Sequence, residues 1–254
     1  MRVAKRGRDP LPKGRDDAYT RAAADILEGP SVSSPSADPA VFVDAGWVLD
    51  SKRLRAALER CDRVIARHAR QLTRLDTVLG DGDHGDNLVI GFRAVSELLA
   101  GLPDTTPPGE ILQAVGHRLV AAVGGASGPL YGTACIEAGF EAGRSAALDG
   151  RALAAMFRAA AAGLARRGRS QVGDKTILDT LAPAAEAFQR AIEAGESVPM
   201  AYAAAVRAGR AGMRSTRDLV ARRGLALRLG ERSVGHLDPG AVSCLLLLGA
   251  VGRR

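Results

Sequence analysis

Apolar positions along most of this chain recur at helical rather than strand spacing. Leu54, Leu58, Cys61, Ile65, His68 and Leu72 follow one another at intervals of four and three, the period of one helix face. A second helix is predicted over residues 87–99, stopped by Gly101 and Pro103, and a third over 110–123. The turn Gly124-Gly125-Ala126-Ser127-Gly128-Pro129 leads into a fourth helix through Ala134 and Phe140, with Ser127 as its expected cap. An alanine-rich fifth helix is predicted over 152–167, a sixth after Gly173-Asp174 to about residue 194, and a seventh over 199–222. Asp238-Pro239 places an acid at N-cap and a proline at the first helical position, so the last helix starts there and ends near Gly249. No alternating β-branched run of useful length and no internal repeat interrupts this series. Long helices with short connections predict antiparallel neighbours, hence an all-α fold: an up-and-down bundle of eight antiparallel helices.

Residues 1–45 depart from the pattern. They mix Arg, Lys and Asp with five prolines and a Ser-Val-Ser-Ser-Pro-Ser stretch, without a sustained apolar period. We expect a disordered or loosely docked arm there, with a partner-binding tail as its functional alternative, and an ordered domain over residues 46–254. Composition agrees with helices: aromatic residues are only 4% while alanine, the best helix former, is abundant. The net charge of +7 suits an acidic partner or a phosphorylated ligand. It does not read as nucleic-acid binding, because the arginines are scattered along helices and few aromatics are available to stack on bases. Three dispersed cysteines, Cys61, Cys135 and Cys244, argue against a disulfide framework and for a reducing compartment. The basic N-terminus lacks the apolar stretch of a secretory signal, and the longest apolar run, residues 241–251, is far shorter than the ~20 residues of a membrane span. The expectation is a cytoplasmic protein with no membrane partner.

The candidate chemistry sits in Gly80-Asp81-Gly82-Asp83-His84, with Asp76 upstream. Three carboxylates crowded on a turn repel one another unless a cation lies between them. Magnesium, a hard ion, takes a few carboxylates and leaves its other positions to water and phosphate. Asp76, Asp81 and Asp83 fit that demand, the alternative being a turn merely rich in helix-capping aspartates. An EF-hand fails on spacing: counted from Asp81, glycine falls at the fifth position (Gly85) and the twelfth is Phe92. Gly82 and Gly85 allow a tight bend and close approach to a ligand. His84 and Asn87 lie where that bend enters a helix whose N–H groups face an anion, and His84 is expected either to bond a phosphate or to serve the structure. The glycine turn 124–128 follows the same logic, Ser127 adding a hydroxyl, although such turns often only join helices. The stretch Gly168 to Thr176 resembles a P-loop, but Asp174 separates the glycine from Lys175 and an alanine-rich helix stands where a strand should. Lys175 is left as a candidate anchor for an anion or partner, and Asp238 as a cap or as part of a base or ribose pocket.

Taken together, the blocks Leu75-Asp76, Gly80 to Gly85, Asn87, Gly124 to Gly132, Gly173 to Thr176 and Gly230 to Gly240 resemble the dihydroxyacetone kinase L domain, in register from about Trp47 to the C-terminus. The resemblance implies a barrel of eight antiparallel helices with the nucleotide, ADP or ATP, at one end. It implies two Mg²⁺ ions on Asp76, Asp81 and Asp83, which would then be both metal ligands and the catalytic residues. It implies nucleotide contacts at His84, Gly85, Asn87, Ala126, Ser127, Gly168, Asp238, Pro239 and Gly240. The substrate would be held covalently through a histidine on a separate K subunit, so the chain is expected to be half of a kinase for dihydroxyacetone or a small ketose such as a tetrulose. Its donor would be ATP or a phosphocarrier protein, and a homodimer is a further expected assembly. One block departs from the family: Leu225, Leu227 and Arg228 stand where arginine, serine and tyrosine are usual, which puts the base end of the site in doubt. The alternatives are the nucleotide domain of a fatty-acid-kinase-type enzyme, which normally continues into a long C-terminal region, and a non-catalytic regulatory paralogue.

Overall fold

The computed structural model describes Arg21 and residues 47–252. The arm expected over residues 1–45 lies, Arg21 apart, outside them. Within residues 47–252 the chain forms eight α-helices: α1 (Ser51–Leu79), α2 (His84–Gly101), α3 (Pro108–Ala122), α4 (Ser127–Ala142), α5 (Gly150–Gly168), α6 (Leu178–Glu193), α7 (Val198–Ser215) and α8 (Pro239–Val251). Each packs on the next in sequence, and α8 packs back on α1, so the ring closes as a barrel. Two short strands, β1 (Leu49–Asp50) and β2 (Ala147–Leu148), pair antiparallel beside it; too short to show an alternating pattern, they were not foreseen.

The helices form where their caps and apolar faces say they should. Asp50 caps α1 by accepting from the Arg53 N–H, and Asp149 caps α5 by accepting from the Ala152 N–H. The buried face of α1 is the one read from spacing, Leu54 through Leu72, continued by Leu75, Asp76 and Leu79. Helix α8 is buried on nearly all sides, from Pro239 to Ala250, as befits a helix in contact with α1, α6 and α7. Small residues let helices approach closely: a Cβ on Gly116 or Gly132 would lie 2.6 Å from the other's carbonyl oxygen, across α3 and α4. An apolar cavity of about 1050 Å³, lined by Leu58, Phe92, Leu119, Phe157, Tyr202 and Leu247 among others, lies between the helices. None of the described helices is long and apolar enough to cross a membrane.

Among the boundaries that differ from expectation, two have a clear cause. Helix α6 starts at Leu178, because the Asp179 carboxylate accepts from the N–H groups of both Gly173 and Thr176 (2.6 Å each) and holds residues 173–176 as a turn. Helix α7 ends at Ser215, not near 222, and passes into a 3-10 turn (Thr216–Asp218). There the Thr216 carbonyl is taken by the Lys175 ammonium and the Thr216 hydroxyl accepts from the Asp238 N–H, so the chain is drawn away from the helix axis.

Alternating direction around the ring brings the N-termini of α2, α4, α6 and α8 to one end. His84 at the start of α2 contacts Ser127 at the start of α4 and Ser243 in the first turns of α8, and Thr180 in α6 donates to the Ala241 carbonyl in α8. Four positive helix ends therefore face one mouth.

Candidate metal centre

Asp76 lies in the last turn of α1 and is 8% exposed. One carboxylate oxygen, Oδ2, accepts from the N–H groups of Gly82 (3.0 Å), Asp83 (3.1 Å) and His84 (3.3 Å). This wraps the acidic turn over the helix end, and Gly82 makes the bend with φ +80°. Burial pushes the Asp76 carboxyl up from the ordinary carboxylate range, against the three donors that pull it down. Asp81 and Asp83 are exposed, yet one oxygen from each of the three acids lies within 4.8 Å of the others. This is the only such cluster of His, Cys, Asp or Glu among the described residues. An all-oxygen trio, one member held by backbone and two open to solvent, fits a hard dication that keeps water and phosphate among its ligands.

The other expected contact residues stand around this trio in different ways. Asn87 sits one turn into α2 with its side-chain amide beside Gly124, where a Cβ would fall 3.1 Å from Asn87 Oδ1. The turn 124–126 is exposed, and Gly125 takes φ +65°. Ser127 is the first residue of α4 and not its cap; its hydroxyl is turned to His84 Nδ1 (3.0 Å). His84 is buried, and its other ring nitrogen, Nε2, lies 2.8 Å from Ser243 Oγ. Both ring nitrogens thus have partners inside the protein. Desolvation pushes this imidazole down to about 4, which leaves it neutral at physiological pH. Gly85 serves helix packing: a Cβ there would collide with the Ala69 carbonyl of α1, so the glycine lets α2 cross α1 closely.

At the third corner Asp238 caps α8, accepting from the Ala241 N–H at 2.7 Å, with Pro239 following as expected. Burial pushes Asp238 up to about 7; nearby Asp179 and Asp76 push the same way, and the Ala241 N–H and Lys175 oppose them. Lys175 does not reach outward. It is 1% exposed, and its ammonium donates to the carbonyls of Thr216, Leu219 and His236. Its backbone sits at φ +64°, a strained choice for a lysine, held by those three bonds. Gly240 is buried against Ile177, and its carbonyl accepts from Tyr131 and Ser243. Gly168 ends α5, near Leu130 at the start of α4. The mouth thus gathers residues from five helices.

Sequence reasoning missed Tyr131, Ser243 and Thr216, which tie these corners together; no local motif marks them, since their partners lie far away in sequence. It also missed a lip formed by residues 169–174 and 222–233. The Arg222 N–H donates to the Asp174 carbonyl (3.1 Å), and Arg223 bonds the Arg169 carbonyl while pairing with Asp174 at 3.5 Å. Ala226 and Leu229 pack on Leu79, the last residue of α1, which seats the lip beside the acidic turn. Val172, Leu225 and Leu227 remain exposed on it.

The chain is 38% identical over 205 residues to the ADP-binding subunit DhaL of a PEP-dependent dihydroxyacetone kinase from Listeria innocua, covering 80% of this chain and 94% of that one. It is 40% identical over 191 residues to the corresponding Escherichia coli subunit, covering 75% and 90%. Among solved structures, the dihydroxyacetone kinase from C. freundii in complex with AMP-PNP and Mg²⁺ superposes with a TM-score of 0.61 at 23% identity, a likeness of fold. The match covers 83% of this chain and 36% of that longer one. The family model described as the DAK2 domain matches residues 78–253. With most of its length matched in this way, the chain belongs to the DAK2 domain family.

Proposed function

We propose that residues 46–254 form the nucleotide-binding subunit of a cytoplasmic kinase for dihydroxyacetone or a related small ketose, acting on a substrate carried by a separate K subunit. The observation that carries this is the convergence of Asp76, Asp81 and Asp83 within 4.8 Å at the end of a barrel where four helix N-termini meet. The relatives at 38–40% identity are named as ADP-binding subunits, which favours this over the fatty-acid-kinase alternative. Free cysteines at all three positions suit a reducing compartment.

In this reading Asp76, Asp81 and Asp83 hold two Mg²⁺ ions against the diphosphate of ADP or ATP. Bound there, the ions supply the charge neutralisation on which phosphoryl transfer depends. Asp76 is held at the trio by its three backbone donors, so the acids are placed before any ligand arrives. The N-termini of α2 and α4, with the turn at Gly124 to Ser127, direct N–H groups at the phosphates. Asn87, Gly168, Asp238, Pro239 and Gly240 shape the remaining wall. No general base is needed on this chain, because the reacting hydroxyl lies on the partner. Either a phosphocarrier protein rephosphorylates the bound ADP or free ATP exchanges into the site, and the subunit works beside K, with a homodimer as a further assembly.

Asp81→Ala tests the metal assignment. Asp81 is exposed, so the variant folds and, freed of one repelling charge, melts no lower than the parent without metal. Isothermal titration should show Mg–ADP affinity reduced by roughly tenfold or more, in line with losing a charged ligand. Unchanged affinity would overturn the assignment.

A further inference from the structure

We propose that Lys175 is a positioning residue: by gathering three carbonyls of the connection between α7 and α8, it sets the Asp238-Pro239-Gly240 wall of the mouth, the wall that meets the nucleoside. This rests on the nucleotide-binding reading for its ligand, whereas the placement of the loop stands by itself. Residues 216–238 leave the end of α7 and return to the start of α8. The two limbs of that loop meet at a neck. The Gly235 N–H donates to the Arg217 carbonyl (2.7 Å), the Arg217 Nε–H donates to the Gly235 carbonyl (3.3 Å), and the Asp238 N–H donates to the Thr216 hydroxyl (3.1 Å). Lys175 enters this neck from the turn between α5 and α6. Its ammonium donates to the carbonyls of Thr216 and Leu219 on the outgoing limb and of His236 on the returning one.

The ammonium is fully used by these contacts. It carries three N–H groups, and three carbonyls take them. No donor is left over for a phosphate, so Lys175 acts through the loop and not on the ligand. Its own position is fixed from behind. The side chain is 1% exposed, and it starts from a turn that the Asp179 carboxylate holds by accepting from the Gly173 and Thr176 N–H groups on either side. Asp179 is likewise 1% exposed and lies in the first turn of α6. The lysine therefore refers the neck to the N-terminal end of α6. Carbonyls turned away from water need a donor, and here one cation supplies it to both limbs at once.

The mouth divides accordingly. The acidic trio is set by α1 and α2, through the three N–H groups on Asp76, and owes nothing to Lys175. The Asp238 to Gly240 wall is where the returning limb becomes α8. His236, which Lys175 holds, is two residues before Asp238, and Thr216 joins Lys175 through its carbonyl and the Asp238 N–H through its hydroxyl. This wall carries an acid and no cation, so it is unsuited to phosphate oxygens and is left for the sugar and base. One end of the site thus holds the diphosphate independently of Lys175, and the other holds the nucleoside only while Lys175 keeps the neck in place.

The first measurement needs no ligand. In the free protein, hydrogen exchange at the Gly235 and Asp238 amides should speed by about tenfold or more in Lys175→Met, while the Gly82, Asp83 and His84 amides, which bond to Asp76, keep the parent's rates. Unchanged neck amides overturn the proposal; so does an equal rise in both groups, which is what a general loss of stability gives. The second measurement compares Mg–ADP with Mg–pyrophosphate, which keeps the diphosphate and lacks the nucleoside, at a temperature where parent and variant are both folded. Lys175→Met should weaken Mg–ADP about tenfold, the scale of one or two hydrogen bonds, and Mg–pyrophosphate less than about twofold. Equal losses for the two ligands, or none for Mg–ADP, overturn the proposal. So does a parent that binds Mg–ADP but not Mg–pyrophosphate, since the diphosphate end then does not hold its ligand alone. Should Lys175→Met fold poorly, Lys175→Gln, whose amide keeps a donor in the neck, should show the same pattern at smaller size, and its absence counts equally against the proposal. If the parent chain binds no Mg–ADP, the functional reading fails, while the exchange rates still decide whether Lys175 holds the neck.

Discussion

Asp238 and Lys175 are buried neighbours of opposite charge, and each is displaced toward its neutral form. Desolvation raises Asp238 to about 7 and lowers Lys175 to about 8. An acid whose folded pKa exceeds its unfolded value makes the folded state bind more protons between the two, so stability falls as pH rises from about 4 to about 7. Asp238→Asn keeps a side-chain oxygen for the Ala241 N–H, because asparagine caps helices as well as aspartate does. The stability of the parent relative to Asp238→Asn, from urea midpoints, should therefore decline between pH 4 and pH 7 and level off above; a flat difference would show that Asp238 ionises normally. Lys175→Met leaves the carbonyls of Thr216, Leu219 and His236 without their shared donor, and at pH 7 should cost about 3 kcal/mol in chemical denaturation. What could be read at this scale was what is local. Asp76, Asp81 and Asp83 fall within eight positions, and the helix cap at Asp238 depends on its own next three residues. The inward course of Lys175 and the Ser243 contact to His84 depend on residues 41 and 159 positions away, and no short motif encodes them.

The helices were legible because burial on one face imposes a period that apolar residues must follow. Their ends were legible only where the cap is local, as at Asp238-Pro239. The ends of α7 and the start of α6 depend on long-range bonds to Thr216 and on the Asp179 bracket, so propensity alone ran the seventh helix too far. The crossing of α1 and α2 is likewise a property of two elements, and it fixes the trio, since Asp76 belongs to one helix and Asp83 precedes the other. Gly85→Ala drives a methyl group into the Ala69 carbonyl and must push α2 off α1. It should cost about 1–3 kcal/mol, the usual price of overpacking, and lower Mg–ADP affinity by separating the acids. Gly101→Ala, at the far end of the same helix, meets nothing within 4 Å. It should stabilise by about 0.4–1 kcal/mol and leave binding unchanged. Thermal melts and titrations of the pair separate helix packing from helix propensity; equal effects at both positions would contradict the packing role of Gly85.

At the scale of the whole molecule, an antiparallel bundle was foreseen from helix count and loop length and its closure into a barrel only from the family resemblance, while the lip over the acidic turn was not foreseen. Its two segments, 169–174 and 222–233, are joined by Arg222, Arg223 and Asp174 and seated on Leu79, contacts that have no periodic signature. The lip presents 54% of Leu227 and 56% of Val172 to solvent. Arg222, Arg228 and Arg232 make no ion pair among the described residues, on a chain whose net charge is +7. A surface of exposed leucine and unpaired arginine beside the acidic turn fits a partner that is apolar at the centre and acidic around it. If the substrate arrives on a separate subunit, that subunit must come to this end of the barrel. Leu227→Asp removes apolar contact and adds like charge to an acidic partner, while Leu227 itself supports nothing in the core. The variant should melt with the parent and bind Mg–ADP equally, yet bind the substrate-carrying subunit about tenfold more weakly in surface plasmon resonance, the cost of one misplaced charge at an interface. Raising the salt concentration should weaken the parent complex and narrow the difference, because added ions screen both the attraction and the new repulsion. Undiminished affinity in the variant would remove the lip from the docking surface and leave its exposed leucines without a partner.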